Sequence, residues 1–338
     1  MIGLKEAPVT AWLVANVEGV TPPCRFTLIT GGHSNLTYRA KDAAGRSLVL
    51  RRPPLGRVLA TAHDMVREHR IINAIGTTPV PVPPALGLCV DERVNGAPFY
   101  VMDYVDGVVL DSRQAASDLS PGVCRTLAED LIDVLAELHA VDVDGVGLGD
   151  LARRDGYVER QLRRWSQQWQ RSKTRELATV DELEHRLRQH IPVQQGATVV
   201  HGDYRFGNCL VDPTAGRITA VLDWELCTLG DPLADLGYLG VYWTDLGSTP
   251  HRRDPSAAGT FPPFAALVER YAAQTGRDVA AVEYFRAFSS WRLAVILEGV
   301  YARYLHGVMG EAPQDLQQFA ADVKQLAESA LASLDRSG

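Results

Sequence analysis

Two short polar clusters carry the residue types that phosphoryl transfer needs. His201-Gly202-Asp203-Tyr204-Arg205-Phe206-Gly207-Asn208 is followed, after an apolar stretch from Ile218 to Leu222, by Asp223-Trp224-Glu225. A carboxylate such as Asp203 can hold a substrate hydroxyl and take its proton late in transfer, a task that asks for little base strength. The amide oxygen of Asn208 and the carboxylate of Asp223 are hard ligands of the kind Mg²⁺ prefers when it bridges the phosphates of ATP. Arg205 fits two roles, neutralising the transferring phosphate or bracing the loop. Glu225 fits either a second metal ion or a solvated neighbour of Trp224. His201 reads as a packing residue that fixes the turn. The chemistry expected is transfer from ATP, with Mg²⁺, to a hydroxyl of a small-molecule acceptor.

The elements that must position these residues follow from periodicity. A leading helix is expected from Glu6 to Val17, then strands at Arg25 to Thr30, Asn35 to Ala40 and Ser47 to Arg52. A helix from Thr61 to Ile75 and two more strands, Ala85 to Val90 and Pro98 to Tyr104, complete a small, mostly antiparallel sheet domain. Beyond Asp106-Gly107 the texture becomes helical, with Ser120-Pro121 as N-cap and first turn of a helix to His139. Later helices are expected at Asp155 to Arg171, Val180 to His190, Phe264 to Thr275, Val282 to Leu305 and Pro313 to Leu334. Two lobes follow, 1–104 for nucleotide and 105–338 for catalysis and substrate, with the chemistry in the cleft between them.

Three features of the first lobe could touch nucleotide. The Gly31-Gly32-His33-Ser34-Asn35 turn can bring backbone N–H groups and the side chains of Ser34 and Asn35 close to phosphates, although paired glycines also make plain hairpins. On the third strand, alternation sets Leu48 and Leu50 toward the core beneath the helix and Val49 and Arg51 toward the cleft, making Arg51 the candidate phosphate cation. A solvated arginine at a strand end is the competing reading. Glu68 is its expected partner, with Asp64 one turn away on the same face. Asp231, in Gly230-Asp231-Pro232, reads as a helix cap or an acceptor for catalytic-loop amides.

With 338 residues, 46% of them hydrophobic, the chain can fill more than one core. Its formal charge of −7 and lack of a basic run argue against nucleic acid as partner. No membrane-spanning run and no secretory pattern at the N-terminus are evident, so no membrane association and a cytoplasmic location are expected. Five scattered cysteines without a Cys-x-x-Cys pair read as free thiols.

The assembled motifs resemble the aminoglycoside phosphotransferase family, the small-molecule branch of the protein-kinase-like fold. His201-Gly202-Asp203 with Asn208, Asp223 and Gly230-Asp231-Pro232 match its catalytic and metal motifs. Gly31 to Tyr38, Val49 to Pro54, Tyr100-Val101-Met102-Asp103-Tyr104 and Leu222 to Leu226 look more narrowly like the kinase-like domains joined to acyl-CoA dehydrogenases. No dehydrogenase module is expected in this chain. The resemblance implies an α+β, two-lobed fold, with a small antiparallel-sheet N-lobe and a larger, mainly helical C-lobe. It also implies adenine bonded to backbone around Asp103 to Val105, and an acceptor pocket near Arg292 and Arg303, which salt bridges on a core helix would explain equally well. Arg51 stands where the family usually has lysine, and a guanidinium grips phosphate as a fork rather than as a point charge. Hydroxyacyl or hydroxyacyl-CoA compounds are the acceptors this likeness favours. The alternatives are a catalytically weak nucleotide-binding module acting through a partner, and an aminoglycoside-modifying kinase.

Overall fold

Alternation along the third strand organises the N-terminal sheet. The computed structural model describes residues 1–29, 35–55, 64–244, 254–307 and 316–337. Strands β1 (Arg25–Ile29), β2 (Leu36–Lys41), β3 (Ser47–Arg52), β4 (Ala85–Cys89) and β5 (Phe99–Asp103) form one antiparallel sheet in the order β1-β2-β3-β5-β4. Helix α1 (Glu6–Asn16) covers one face, where Val9 and Leu13 pack with Tyr38, Leu48, Leu50, Phe99 and Val101. Helix α2 (Met65–Ile75) covers the other, where Met65, Ile71, Ile72 and Ile75 share a core with Val49, Tyr100 and Met102. The expectation that Leu48 and Leu50 lie beneath the helix after the third strand is therefore corrected. They lie beneath α1, and Arg51 shares the α2 face with Val49. The parity was right and the covering helix was not, because parity alone cannot say which of two helices covers which face.

A short helix, α3 (Glu92–Asn95), precedes β5, and everything beyond Asp103 is mainly helical. Helices α4 (Arg113–Ala116), α5 (Pro121–Ala140), α6 (Tyr157–Ser172) and α7 (Ala178–Gln189) lead to the motif region. The start of α5 is set as expected, by Ser120 accepting from the Val123 amide at 3.3 Å and Pro121 in the first turn. After the motif region come α8 (Leu233–Val241), α9 (Phe264–Thr275), α10 (Val282–Leu305) and α11 (Leu316–Ser337). Helix α10 is buried along most of its length and packs against α6, α7, α8 and α11 as a central helix. No helix among the described residues is long and apolar enough to cross a membrane.

Between α7 and α8 lie two small antiparallel ladders. Strand β6 (Thr198–Val200) pairs with β9 (Thr228–Gly230), and β7 (Cys209–Asp212) with β8 (Arg217–Val221). The His201 to Asn208 loop runs from β6 to β7, and the Leu222 to Cys227 turn runs back from β8 to β9. Both connections thus span the same two ladders and are forced to lie side by side. Strand β9, three residues within the run that joins Glu225 to the Gly-Asp-Pro turn, was not anticipated from sequence.

Candidate active site

The β7–β8 register sets Cys209 opposite Val221, and the Leu222 amide donates to the Asn208 carbonyl at 2.8 Å, so Asn208 and Asp223 stand at adjacent strand ends. Asp223 follows in a left-handed conformation, with φ of 65°, the only described non-glycine residue with positive φ. Aspartate tolerates this region better than most side chains, and such strain is characteristic of sites where function fixes the backbone. Gly202, with φ of 85°, faces the same turn. A Cβ there would lie 2.8 Å from the Leu226 carbonyl oxygen, so only glycine lets the two segments close on one another.

Asp203 is partly exposed and held from two sides. Asn208 Nδ2 donates to Asp203 Oδ2 at 2.6 Å and to its backbone carbonyl at 2.8 Å, while Arg205 Nε lies 3.4 Å from Oδ1. With its amide nitrogen committed to Asp203, the carbonyl oxygen of Asn208 is the atom left for a cation. Arg205 is buried over the Tyr242 ring, 4.9 Å from its centroid; burial opposes its charge, but Asp203 and its other neighbours outweigh burial and raise its pKa. Gly207 leaves space for that guanidinium, since a Cβ there would collide with Arg205 Nη1.

Arg51 sits at the centre of a second cluster. Its Nε is 3.1 Å from Glu68 Oε2, one terminal nitrogen pairs with Asp223, and the same nitrogen is 3.7 Å from Glu225. Burial works against the guanidinium charge, and the carboxylates, Asp223 foremost, overcome it and raise its pKa. Glu68 is itself buried, which raises its pKa against the pull of Arg51; it accepts from Tyr100 at 3.1 Å and from Asn35 at 3.2 Å. Asn35 also donates to Glu225 at 3.1 Å. Asp64, the alternative partner, instead caps α2 by accepting from the Arg67 amide at 3.0 Å.

Other anticipated residues are placed as follows. Gly31, Gly32 and Ser34, with His33, lie outside the described residues. Asp103 ends β5, its amide bonded to the Pro84 carbonyl at 2.9 Å and its carboxylate 3.4 Å from Arg46; Val105 follows in the irregular segment beyond. Arg292 is buried on α10 and donates to the Gly202 carbonyl at 2.5 Å, whereas Arg303, three turns further along, is exposed and does not line the pocket beside Gly202. His201 spends both ring nitrogens on backbone, bonding the Leu222 carbonyl at 2.9 Å and the Asp203 amide at 3.2 Å.

Of the two readings of Asp231, helix cap or acceptor for catalytic-loop amides, the structure has the cap. Asp231 accepts from Leu233 and Gln195 amides, both at 2.9 Å, and so caps α8 and ties down the strand approach. The loop amides go to Asp235, in the first turn of α8, which accepts from His201 N at 2.6 Å and Gly202 N at 2.8 Å and lies 3.3 Å from His139. Asp235 is fully buried, which would raise its pKa, but His139 and the backbone donors lower it on balance. The available signal was a carboxylate inside the apolar run Leu233 to Leu236, since a buried charge needs partners. Asp235→Ala is expected to lower stability by about 3–5 kcal/mol, the cost of breaking a buried pair. Because its folded-state pKa is depressed, Asp235 contributes stability above the ordinary carboxylate value of about 3.9 and loses it as pH falls through the lower native value. Denaturant titrations across pH should therefore show the gap between wild type and variant closing below about pH 4.

A site of this kind, on a five-stranded antiparallel sheet joined to a mainly helical part, defines a protein-kinase-like phosphotransferase. The phosphotransferase enzyme family model matches residues 25–285, and the chain belongs to that family. Mouse acyl-CoA dehydrogenase family member 10 is 35% identical over 298 residues, which cover 86% of this chain and 28% of that protein, so the chain spans under a third of that relative's length. A candidate aminoglycoside phosphotransferase from Ralstonia eutropha JMP134 superposes with a TM-score of 0.83 at 32% identity, over 98% of this chain and 99% of that one. The aminoglycoside phosphotransferase APH(4)-Ia, solved with AMP-PNP and hygromycin B, shares the fold with a TM-score of 0.63 at 15% identity, over 97% and 99%.

Proposed function

We propose that the chain is an ATP- and Mg²⁺-dependent kinase that phosphorylates a hydroxyl of a small molecule, with hydroxyacyl or hydroxyacyl-CoA compounds as the favoured acceptors. The observation that supports this reading is the closure of the two motif segments across one pair of ladders, with Asn208 bonded to Asp203 and standing at a strand end adjacent to that of Asp223. In it, residues 1–104 hold nucleotide, with the Asp103 to Val105 backbone at the base, and residues 105–338 hold acceptor and catalytic groups. The binding of AMP-PNP by a fold neighbour supports nucleotide in this cleft. Five buried free thiols suit a cytoplasmic setting.

Asp203 orients the acceptor hydroxyl toward the γ-phosphate and accepts its proton as the bond forms. Asn208 fixes the carboxylate rotamer, and Arg205 holds its other oxygen. The hard oxygens of Asn208 and Asp223 fit Mg²⁺, which neutralises phosphate charge when bound. Arg51, steered by Glu68, supplies the fork for the phosphates.

A screen of ADP release with hydroxyacyl-CoA compounds, free hydroxy acids and aminoglycosides tests the assignment. Preferential phosphorylation of an aminoglycoside would overturn the acceptor class, and no transfer to any hydroxyl would overturn the activity. The strand register gives a sharper expectation. Arg51→Ala should raise the KM for ATP by about tenfold or more and lower kcat, as loss of charge-assisted bonds to phosphate implies. Arg52 points the other way and donates to the carbonyls of Gly3, Pro53 and Asn95, so Arg52→Ala should lower stability instead. Steady-state kinetics beside thermal melts of both variants would expose a reversed ranking.

A further inference from the structure

Next to Gly202 a pocket opens between α2, α6, α10 and the turn that follows Asp223, and three arginines line it: Arg67, Arg164 and Arg292. The carboxylates on its wall are already engaged. Glu68 and Glu225 bond Asn35 and face Arg51, and Asp64 caps α2. Arg67 donates to the Cys227 carbonyl and Arg292 to that of Gly202, each spending one of five N–H donors, and Arg292 Nε is buried with no partner among the described residues. Arg292 is also packed over Tyr238, 4.5 Å from the ring centroid. Arg164 is accessible to solvent and rests on the Trp165 ring at 5.3 Å, with no hydrogen bond to another described residue. Its pKa is lowered chiefly by partial desolvation of the guanidinium, with Arg292 and Arg67 adding like-charge repulsion and Tyr157 opposing it.

A structural role accounts for the backbone bonds of Arg67 and Arg292 but not for bringing a third guanidinium to the same hollow. We infer that the acceptor is an anion, and that Arg67, Arg164 and Arg292 bind its carboxylate or phosphate while its hydroxyl lies at Asp203. The inference rests on the phosphotransferase reading and deepens it. Gly202 ties the pocket to the reaction centre: it lines the pocket, its carbonyl accepts from Arg292, and it precedes Asp203 in the chain. The gradient from buried Arg292 through half-buried Arg67 to exposed Arg164 suits an anion entering from solvent and losing water as it descends. Guanidinium forks match carboxylate and phosphate alike. A polycationic acceptor would meet three like charges.

The test is calorimetric titration of the full chain, with excess ADP in the nucleotide site, using four probes built on one hydroxyacyl group. These are 3-hydroxybutanoate, its amide, its coenzyme A thioester and its pantetheine thioester. Wild type should bind at least one anionic probe, and Arg164→Gln and Arg67→Gln should each weaken that binding by about tenfold or more, with Arg164→Lys recovering part of it. Loss confined to the free acid identifies a carboxylate, and loss confined to the coenzyme A thioester identifies a phosphate. Equal affinities for charged and neutral probes, no binding of any probe, or variants within twofold of wild type would overturn the inference. ADP formation is measured separately. Anion binding without transfer to any probe or to any compound of the ADP-release screen would sink the kinase reading and leave the anion pocket standing.

Discussion

Asp203→Asn should lower kcat by about 10²–10⁴-fold, the range expected when a positioned proton acceptor is removed, while Mg·ATP affinity changes little. The variant keeps the size of the side chain but cannot take a proton. It also sets an amide where Asn208 Nδ2 now donates at 2.6 Å to a carboxylate, so the replacement either turns its oxygen to Asn208 or loses that bond. Arg205, whose raised pKa depends on Asp203 once burial is overcome, loses its counter-charge in the same step. Single-turnover assays on the hydroxy compound that the wild type phosphorylates, together with nucleotide titrations, separate chemistry from binding. Turnover within a few-fold of wild type would remove Asp203 from its assigned role.

The second large effect is expected at Asp223, and its sign reverses with metal. Around Arg51 stand three carboxylates, Glu68, Asp223 and Glu225, so the cluster holds an excess of negative charge where phosphates are proposed to bind. Asp223→Ala removes a proposed ligand for Mg²⁺ and should weaken Mg·ATP binding by about two orders of magnitude, in line with the loss of a charged contact in a partly buried site. The same change removes one repelling carboxylate and releases a terminal nitrogen of Arg51, so metal-free ATP should bind the variant at least as well as it binds wild type. Asn208→Ala should share the first effect and lack the second. Titrations with and without Mg²⁺ decide the matter, and equal losses under both conditions would contradict the metal role.

How much of this could be read from the chain depended on whether the determining contacts were local. Helices α9 and α10 begin and end where periodicity sets them, because a long apolar repeat is a local signal that few alternatives satisfy. The placement of Arg51 on the site face of β3 followed from parity, while the identity of the helix covering the opposite face did not, since that is decided by packing between distant segments. Asp235 was missed in favour of Asp231 because both sit at one helix start, and only the path of the His201 and Gly202 amides distinguishes them. Arg67 and Arg164 belong to no motif. They come together through the docking of α2 and α6 against the motif turn, and no spacing in the sequence records that meeting.

The pairing of both motif loops with the same two ladders has a consequence for how such a protein can change. Residues 198–230 form a closed clasp: each loop is pinned at both ends, and Gly202 leaves no slack between them. A shift in one loop is handed directly to the other, so the reaction centre tolerates little drift in either. The helices α6 and α10 meet the clasp only from outside. With the proposed acceptor pocket lying between them, selectivity can therefore be rewritten on those helices, by nature or by an engineer, while the proposed transfer machinery is inherited intact.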